Sequence, residues 1–257
     1  MRQMVPSLLF DNTLQASSTL GFAMMKAVAF DLEGTVIDIE RAHHQGHLAA
    51  MRDFGIDLDL NGAVGAIPHF IGGPDDEIAK EISKLLGGLV PPSDVLVRIK
   101  SYFASYLANE HCINTRPGFM AVLLWLRKHG FPTSIGSLTE RSLANLLLSR
   151  SGLNKQFSPE YIVLRDDVAK LKPAPDVYIL TAKRMDVSPT EQLVFEDSPN
   201  GVEAAIKAGS IAVGMPVIQS DSTIARLWQS GASRVFLGWE SVDIEELLRL
   251  GATNELG

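Results

Sequence analysis

The chain has 257 residues, of which 46% are hydrophobic and 21% are charged. This is the usual composition of a globular protein with its own core, and it excludes a wholly disordered chain. The formal net charge is −7, which disfavours general affinity for nucleic acid or for an anionic membrane surface. An anionic substrate would therefore need local positive charge or a metal ion.

The cysteine count and the N-terminal segment indicate the compartment. Cys112 is the single cysteine, so an intrachain disulfide is excluded, and we expect it to be a small apolar residue rather than a nucleophile. Residues 1–24 hold no continuous apolar run, so we expect a weakly ordered extension rather than a signal peptide. No stretch reaches the roughly 18 apolar residues that cross a bilayer. These features predict a cytoplasmic protein.

Short apolar runs alternate with amphipathic stretches from Lys26 onward, and this pattern predicts an α/β fold with a Rossmann-like parallel sheet. The predicted strands are residues 27–30, 133–136, 161–164, 193–195, 211–213 and 235–237. Helical periodicity fills the intervals between them, as in Phe119, Val122 and Leu123.

The interval between the first two strands is too long for a single crossover helix. Residues 40–115 contain only helical patterns, interrupted at residues 72–74 and 91–92 by glycine and proline. We therefore predict an all-helical cap domain at 40–115, inserted into a core domain made of residues 25–39 and 116–257. The two chain crossings between the domains are expected to act as hinges.

Polar side chains follow four of the predicted strands. They are Asp31, Ser137, the pair at 166–167 and the pair at 196–197. Ligands of an open parallel sheet bind outside the carboxyl ends of its strands. Acidic groups gathered there repel one another unless a hard cation such as Mg²⁺ lies between them, and such an ion also offsets the charge of a phosphate. The residues therefore predict a magnesium site.

Four motifs also carry a family resemblance. Residues 27–35 (AVAFDLEGT) resemble the first motif of the haloacid dehalogenase-like (HAD) hydrolases, and Ser137 matches the second. Residues 172–176 (KPAPD) match the third motif, and residues 194–202 (VFEDSPNGV) match the fourth. The resemblance runs from about residue 26 to the C-terminus. The helical insert is similar to the cap of the β-phosphoglucomutase-like branch.

This resemblance implies catalytic roles for four residues. Asp31 matches the nucleophile that takes the phosphoryl group as an aspartyl-phosphate. Glu33 occupies the position of the general acid/base. Ser137 would hydrogen-bond a phosphate oxygen, and Lys172 would steady the nucleophile and the transferring phosphoryl group.

The resemblance also implies the ligands of Mg²⁺. Asp197, the Asp31 carboxylate and the backbone carbonyl of Glu33 would hold the ion. Glu196 either binds the ion directly or hydrogen-bonds the groups that do, and both interpretations stay open. Residues 166–167 are expected to belong to a turn, with hydrogen bonding near the metal as the alternative.

The acid/base position departs from the family pattern, because most family phosphatases have aspartate where this chain has Glu33. The extra bond lengthens the side chain by about 1.5 Å, and a displacement of that order can lower a rate on the order of 100-fold. The enolase-phosphatase branch also has glutamate there. The glutamate argues against a dehalogenase and against a phosphonoacetaldehyde hydrolase.

Three histidines on the first predicted cap helix bear on substrate choice. His43 and His47 have the i, i+4 spacing of a metal pair, although a packed or solvated helix face is favoured because the family's metal is held by oxygen. His43, which precedes His44, also aligns with a histidine that faces the active site in the mutase-like branch, so it is a candidate substrate contact. Between Phe70 and Glu81 the sequence has no arginine to grip a second phosphate, which weakens a mutase interpretation.

The sequence therefore favours a magnesium-dependent phosphatase that acts on a small phosphorylated metabolite such as a sugar phosphate, as a monomer or a homodimer. Two alternatives stay open. The first is a phosphomutase of the β-phosphoglucomutase type. The second is a degenerate binding protein in which Glu33 has made turnover negligible.

Overall fold

The computed structural model describes residues 25–71, 73–109 and 113–249. Within these residues a single sheet has six parallel strands. They are β1 (Ala27–Phe30), β2 (Thr133–Gly136), β3 (Ile162–Val163), β4 (Gln192–Glu196), β5 (Ile211–Gly214) and β6 (Arg234–Val235). The expectations for residues 1–24 and for Cys112 lie outside the described residues.

The strand order is β3-β2-β1-β4-β5-β6, so the first strand lies in the middle of the sheet. The chain leaves β1 for β2 and β3 on one side, and then crosses over to β4 on the other side. Crevices at such a reversal, outside the carboxyl ends of the strands, are where α/β sheets bind ligands. The predicted α/β fold is confirmed, although the edge strands β3 and β6 are shorter than the sequence pattern indicated.

Helices cover both faces of the sheet. They are α5 (Phe119–Lys128), α6 (Arg141–Arg150), α7 (Asp176–Arg184), α8 (Pro199–Ala208), α9 (Asp221–Gln229) and α10 (Ile244–Leu248). Val28 and Phe30 of β1 pack in the hydrophobic cluster that includes α5, α6 and α10. Ala27 and Ala29 pack in the cluster that includes α7, α8 and α9. All four side chains are buried, which explains why β1 is a continuous apolar run rather than an alternating one.

The segment between β1 and α5 is helical. It contains α1 (Glu40–Asp53), α2 (Leu60–Ala66), α3 (Asp75–Leu85) and α4 (Pro92–Asn109), which bury a hydrophobic cluster of their own. The periodicity did not single out α2. The signal that could have found it is Asp59, whose side chain caps the helix by accepting a hydrogen bond from the Gly62 amide at 2.7 Å. No helix among the described residues is both long and apolar enough to cross a membrane.

The two crossings that connect these helices to the sheet lie side by side. Ile37 and Thr115 form an antiparallel bridge, and the Arg116 amide donates to the Val36 carbonyl at 2.8 Å. The guanidinium of Arg116 is buried and donates to the carbonyl of Gly34 at 2.8 Å, in the turn that follows β1. Gly34 has φ of 78°, a conformation that glycine adopts without strain.

Helix α8 approaches the end of β4 very closely at Gly201. A Cβ atom placed there would lie 1.9 Å from the Glu196 carboxyl group. That carboxylate is fixed by hydrogen bonds from Lys172, Tyr178 and Ser198, so it cannot move aside cheaply. Only glycine fits between the helix and this carboxylate.

We therefore expect Gly201→Ala to lower the free energy of unfolding by roughly 1–3 kcal/mol, the usual cost of overpacking. Gly65→Ala is the matched control, because Gly65 lies in α2 with open space around it. The control should leave stability unchanged or raise it by roughly 0.5–1 kcal/mol. Urea unfolding measures both variants, and equal stability of Gly201→Ala and wild type would contradict the close approach.

His44 is a buried histidine inside the helical segment. It is 4% exposed, and its ring stacks on Phe70 with 5.2 Å between ring centroids. Burial, together with the neighbouring His47 and His43, lowers the pKa of His44 from its ordinary 6.5 to about 3. The folded protein therefore keeps this imidazole neutral in mild acid, whereas the unfolded chain protonates it.

Because the unfolded chain takes up this proton first, stability is lost as the pH falls from 6.5 towards 3. The free energy of unfolding of the wild type should fall more steeply than that of His44→Phe, by about 1.4 kcal/mol per pH unit. Denaturant unfolding at a series of pH values measures the two slopes. The exposed His129 gives the control His129→Phe, which should follow the wild type. Parallel profiles for wild type and His44→Phe would contradict a neutral buried His44.

Candidate active site

The carboxyl ends of β1, β2 and β4 meet around the ammonium group of Lys172. Its Nζ donates to Asp31 Oδ1 at 2.6 Å, to Glu196 Oε1 at 2.6 Å and to the Gly136 carbonyl at 3.1 Å. The side chains of Lys172 and Asp31 are only 7% and 9% exposed. A lysine that enters from the loop before α7 thus ties together the ends of three neighbouring strands.

Glu196 is the most enclosed carboxylate of this group, with a side chain 1% exposed. Its Oε1 accepts a hydrogen bond from the Tyr178 hydroxyl at 2.6 Å as well as the one from Lys172. Its Oε2 accepts from the hydroxyl of Ser198 at 3.2 Å. Both oxygens of Glu196 are therefore already engaged by side chains of the protein.

Asp197 follows β4 directly and is buried at the same rim. Thr35 donates from its hydroxyl to Asp197 Oδ1 at 3.4 Å, which links the end of β4 to the loop after β1. One carboxylate oxygen each from Asp31, Glu196 and Asp197 lies within 4.8 Å of the others.

Glu33 lies in the turn after β1 with its carboxylate held from two sides. The Thr139 hydroxyl donates to Oε1, and the imidazole of His43 lies 3.0 Å from Oε2. The three groups come from three elements: the turn, the loop after β2 and helix α1. This arrangement orients the longer side chain that distinguishes Glu33 from an aspartate.

Ser137 lies at the end of β2 and is 2% exposed. Its hydroxyl is 2.9 Å from that of Thr139, which continues the chain of hydrogen bonds to Glu33. Ser134, the nearby alternative, instead donates to the Tyr161 carbonyl at 2.5 Å within the sheet. Of these two serines, Ser137 is the one at the rim with the acidic residues.

Burial and neighbouring charge perturb the carboxyl groups. Burial raises the pKa of Asp31 to about 8, with the Lys172 ammonium opposing the rise and Glu196 adding to it. Burial also acts to raise the pKa of Glu33, but hydrogen bonds from His43 and Thr139 outweigh it and hold that pKa below its ordinary value. Burial of Asp31 therefore favours its neutral form, and additional positive charge nearby would favour the ionised form.

The donor set fits a hard divalent cation. Asp31, Glu196 and Asp197 carry three carboxylates against one ammonium, that of Lys172, and their oxygens converge within 4.8 Å. Carboxylate oxygens are what Mg²⁺ and Ca²⁺ bind. A cation at this rim would neutralise the excess negative charge and lower the pKa of Asp31.

Residues 166–167 form part of a short 3₁₀ turn, Arg165–Asp167, as the sequence predicted. Asp166 accepts from the Arg141 amide at 2.9 Å, and Asp167 accepts from the Leu164 amide at 2.9 Å. Their carboxylates therefore support the loop.

Sequence reasoning gave no role to three residues that shape the site. Thr139 holds Glu33, Tyr178 holds Glu196, and Arg116 holds the turn after β1. Arg116 and Tyr178 are both more than nine-tenths buried. Thr139 follows a recognised motif by two residues and Tyr178 follows another by two, but neither spacing by itself signals a contact.

Comparisons with known proteins identify the family of this chain. A profile described as haloacid dehalogenase-like hydrolase matches residues 25–209. The chain is 30% identical over 190 residues to fructose-1-phosphate phosphatase YqaB of Escherichia coli (strain K12), covering 74% of this chain and 95% of that protein. It is 25% identical over 234 residues to the beta-phosphoglucomutase of Bacillus subtilis (strain 168), covering 86% and 99%.

A solved structure is similar along nearly the whole chain. It is a HAD family hydrolase from Deinococcus radiodurans R1 with bound phosphate and sodium, with a TM-score of 0.71 and 26% sequence identity. The similarity covers 90% of this chain and 99% of that one. The family model spans well over half of the sequence, so the predicted family resemblance is confirmed and the chain belongs to the haloacid dehalogenase-like hydrolase family.

Proposed function

We propose that the protein is a magnesium-dependent phosphatase that hydrolyses a small phosphate monoester, a sugar phosphate, through an aspartyl-phosphate on Asp31. The observation that carries the proposal is the Lys172 ammonium 2.6 Å from the Asp31 carboxylate, at the end of the central strand and beside Asp197. The name of the Escherichia coli relative, fructose-1-phosphate phosphatase, supports a phosphorylated carbohydrate as substrate.

The chemistry proceeds in two displacements. An Asp31 oxygen attacks phosphorus and forms the acyl-phosphate bond, while the bond from phosphorus to the sugar oxygen breaks. Glu33, which its lowered pKa keeps ionised, relays a proton from the hydrogen-bonded imidazolium of His43 to that oxygen. Water then attacks the phosphorus, Glu33 takes up a proton from it, and the bond to Asp31 breaks. The products are the free sugar and phosphate, and the carboxylate of Asp31 is regenerated.

Lys172 and Ser137 stabilise the transferring phosphoryl group. The Lys172 ammonium, buried against Asp31, places fixed positive charge where negative charge spreads over the phosphoryl oxygens. The hydroxyl of Ser137, at the end of the neighbouring strand, donates to one of those oxygens. His43, beside Glu33, is the residue of α1 that would contact the substrate.

Asp31, Asp197 and the backbone carbonyl of Glu33 would hold Mg²⁺, which supplies Lewis-acid stabilisation of the phosphoryl oxygens when bound. Glu196 contributes through its negative charge and through its hold on Lys172, because both of its oxygens already accept hydrogen bonds. These hydrogen bonds favour a role for Glu196 behind the metal ligands rather than as one of them.

Residues 40–115 would act as the cap over this site, on a core of residues 25–39 and 116–257. The two crossings lie together at the Ile37–Thr115 bridge, so a change there would move the helical segment as a unit. Such closure would exclude water from Asp31 before the phosphoryl transfer and select the substrate by its sugar part.

A phosphomutase is the second candidate, because the Bacillus subtilis beta-phosphoglucomutase aligns with 86% of this chain. A mutase returns the phosphoryl group to the sugar instead of giving it to water. Analysis of the products decides between the two, because an isomerised sugar phosphate indicates a mutase and free phosphate indicates a phosphatase.

The test of the proposed function is phosphate release from a panel of sugar phosphates, with Mg²⁺ and with a chelator. Asp31→Asn should lower turnover by at least about 10³-fold, because the amide is a poor nucleophile. Asp57→Asn is the matched control, since the Asp57 side chain is 91% exposed and should leave turnover unchanged. A folded wild type that releases no phosphate from any substrate, or an Asp31→Asn variant with full activity, would contradict the proposal.

The hydrogen bonds that hold Glu33 give a second test. Glu33→Asp should lower turnover on the order of 100-fold, because the shorter side chain withdraws the proton donor by about 1.5 Å from contacts that Thr139 and His43 fix. In a Thr139→Val background the same change should cost less, since the two residues act together. Thr139→Ser, which keeps the hydroxyl, is the control. Higher turnover in Glu33→Asp would instead favour the degenerate binding protein.

A further inference from the structure

A second group of metal-binding side chains lies between helices α1 and α3. His43 and His47 are one turn apart on α1, and Asp75 is the first residue of α3. His47 Nε2 is 2.9 Å from Asp75 Oδ1. One nitrogen or oxygen of each side chain lies within 4.8 Å of the others. The sequence spacing brings only the two histidines together, and the fold adds Asp75 to them.

We propose that His43, His47 and Asp75 form a second divalent-metal site, which takes a transition metal such as Zn²⁺. Two imidazoles and one carboxylate form a donor set that zinc binds in proteins, with solvent completing the coordination. The rim at Asp31 and Asp197 offers only oxygen, which Mg²⁺ prefers. The two sites therefore differ in the metal that they select.

The burial of the three side chains suits an ion that enters from solvent. The side chain of His47 is 3% exposed, whereas those of His43 and Asp75 are 16% and 28% exposed. His47 thus forms the floor of the cluster and the other two form its open side. Among the described residues, His47 Nδ1 has no hydrogen-bond partner, so a second hydrogen bond does not lock the ring into its present contact.

The distances are close to those of a formed site. Zinc bonds of 2.0–2.1 Å in a tetrahedron place the ligand atoms about 3.3 Å apart. His47 Nε2 and Asp75 Oδ1, at 2.9 Å, would move slightly apart, and ligand atoms as far apart as 4.8 Å would approach by about 1.5 Å. Small rotations of the partly buried Asp75 and His43 side chains would provide such a shift, although His43 stacks on Phe103 with 3.8 Å between ring centroids.

If the metal binds through His43 Nε2, its occupancy competes with the hydrogen bond that holds Glu33. The imidazole nitrogen of His43 that lies 3.0 Å from Glu33 cannot bind a metal ion and hydrogen-bond that carboxylate at the same time. The zinc site therefore lies next to Glu33. Zinc binding can be measured without substrate and without turnover.

The experiment is calorimetric titration of Zn²⁺ into the full-length protein after chelator treatment, in an Asp197→Asn background that removes one carboxylate from the other site and leaves the Lys172–Asp31–Glu196 group intact. One equivalent should bind. His47→Gln and Asp75→Asn should each weaken binding by at least about tenfold, because removing a ligand costs at least as much as disturbing the groups behind one.

His69→Gln is the matched control, because His69 forms a similar imidazole–carboxylate pair with Glu81 at 2.6 Å on the surface. This variant should bind zinc as tightly as the parent. Asp75 is partly exposed, so Asp75→Asn decides the outcome if the buried His47→Gln fails to fold by circular dichroism. Failure to bind one equivalent of Zn²⁺, or affinity that Asp75→Asn leaves unchanged, would overturn the proposal.

Discussion

The buried ammonium of Lys172 between the carboxylates of Asp31 and Glu196 is the interaction on which the candidate site depends. Each of the two carboxylates lies 2.6 Å from the ammonium, and all three side chains are less than one-tenth exposed. Removing one charge from such a group leaves the others buried without compensation, which is strongly destabilising. The same charge that holds the strand ends together is therefore positioned to meet a phosphoryl group.

The sheet topology makes this contact possible. Because β1 lies between β2 and β4, Asp31, Gly136 and Glu196 end neighbouring parallel strands and meet at one rim. The loop before α7 then places Lys172 across all three ends. Arg116 donates to the Gly34 carbonyl and to the Met215 carbonyl at 2.6 Å, and so links the turn after β1 to the end of β5. Arg116 itself lies in the second crossing, so one residue stabilises both the site and the crossings.

The sequence predicted the fold class, the family and the central strands, because buried parallel strands are short apolar runs that end in polar residues. It could not predict contacts between residues distant along the chain. The hydrogen bond from Thr139 to Glu33 spans 106 positions, and Asp75 meets His47 only because α1 and α3 both pack against α4. The close approach at Gly201 also depends on the packing of α8 against β4, which no local pattern encodes.

The most direct test of the central claim is chemical trapping of the intermediate. Borohydride reduces an acyl-phosphate to an alcohol, so enzyme quenched during turnover should contain homoserine in place of Asp31, located by mass spectrometry of its peptides. The account predicts conversion at Asp31 that requires both substrate and Mg²⁺. Homoserine at another carboxylate, or no conversion while phosphate is being released, would contradict it.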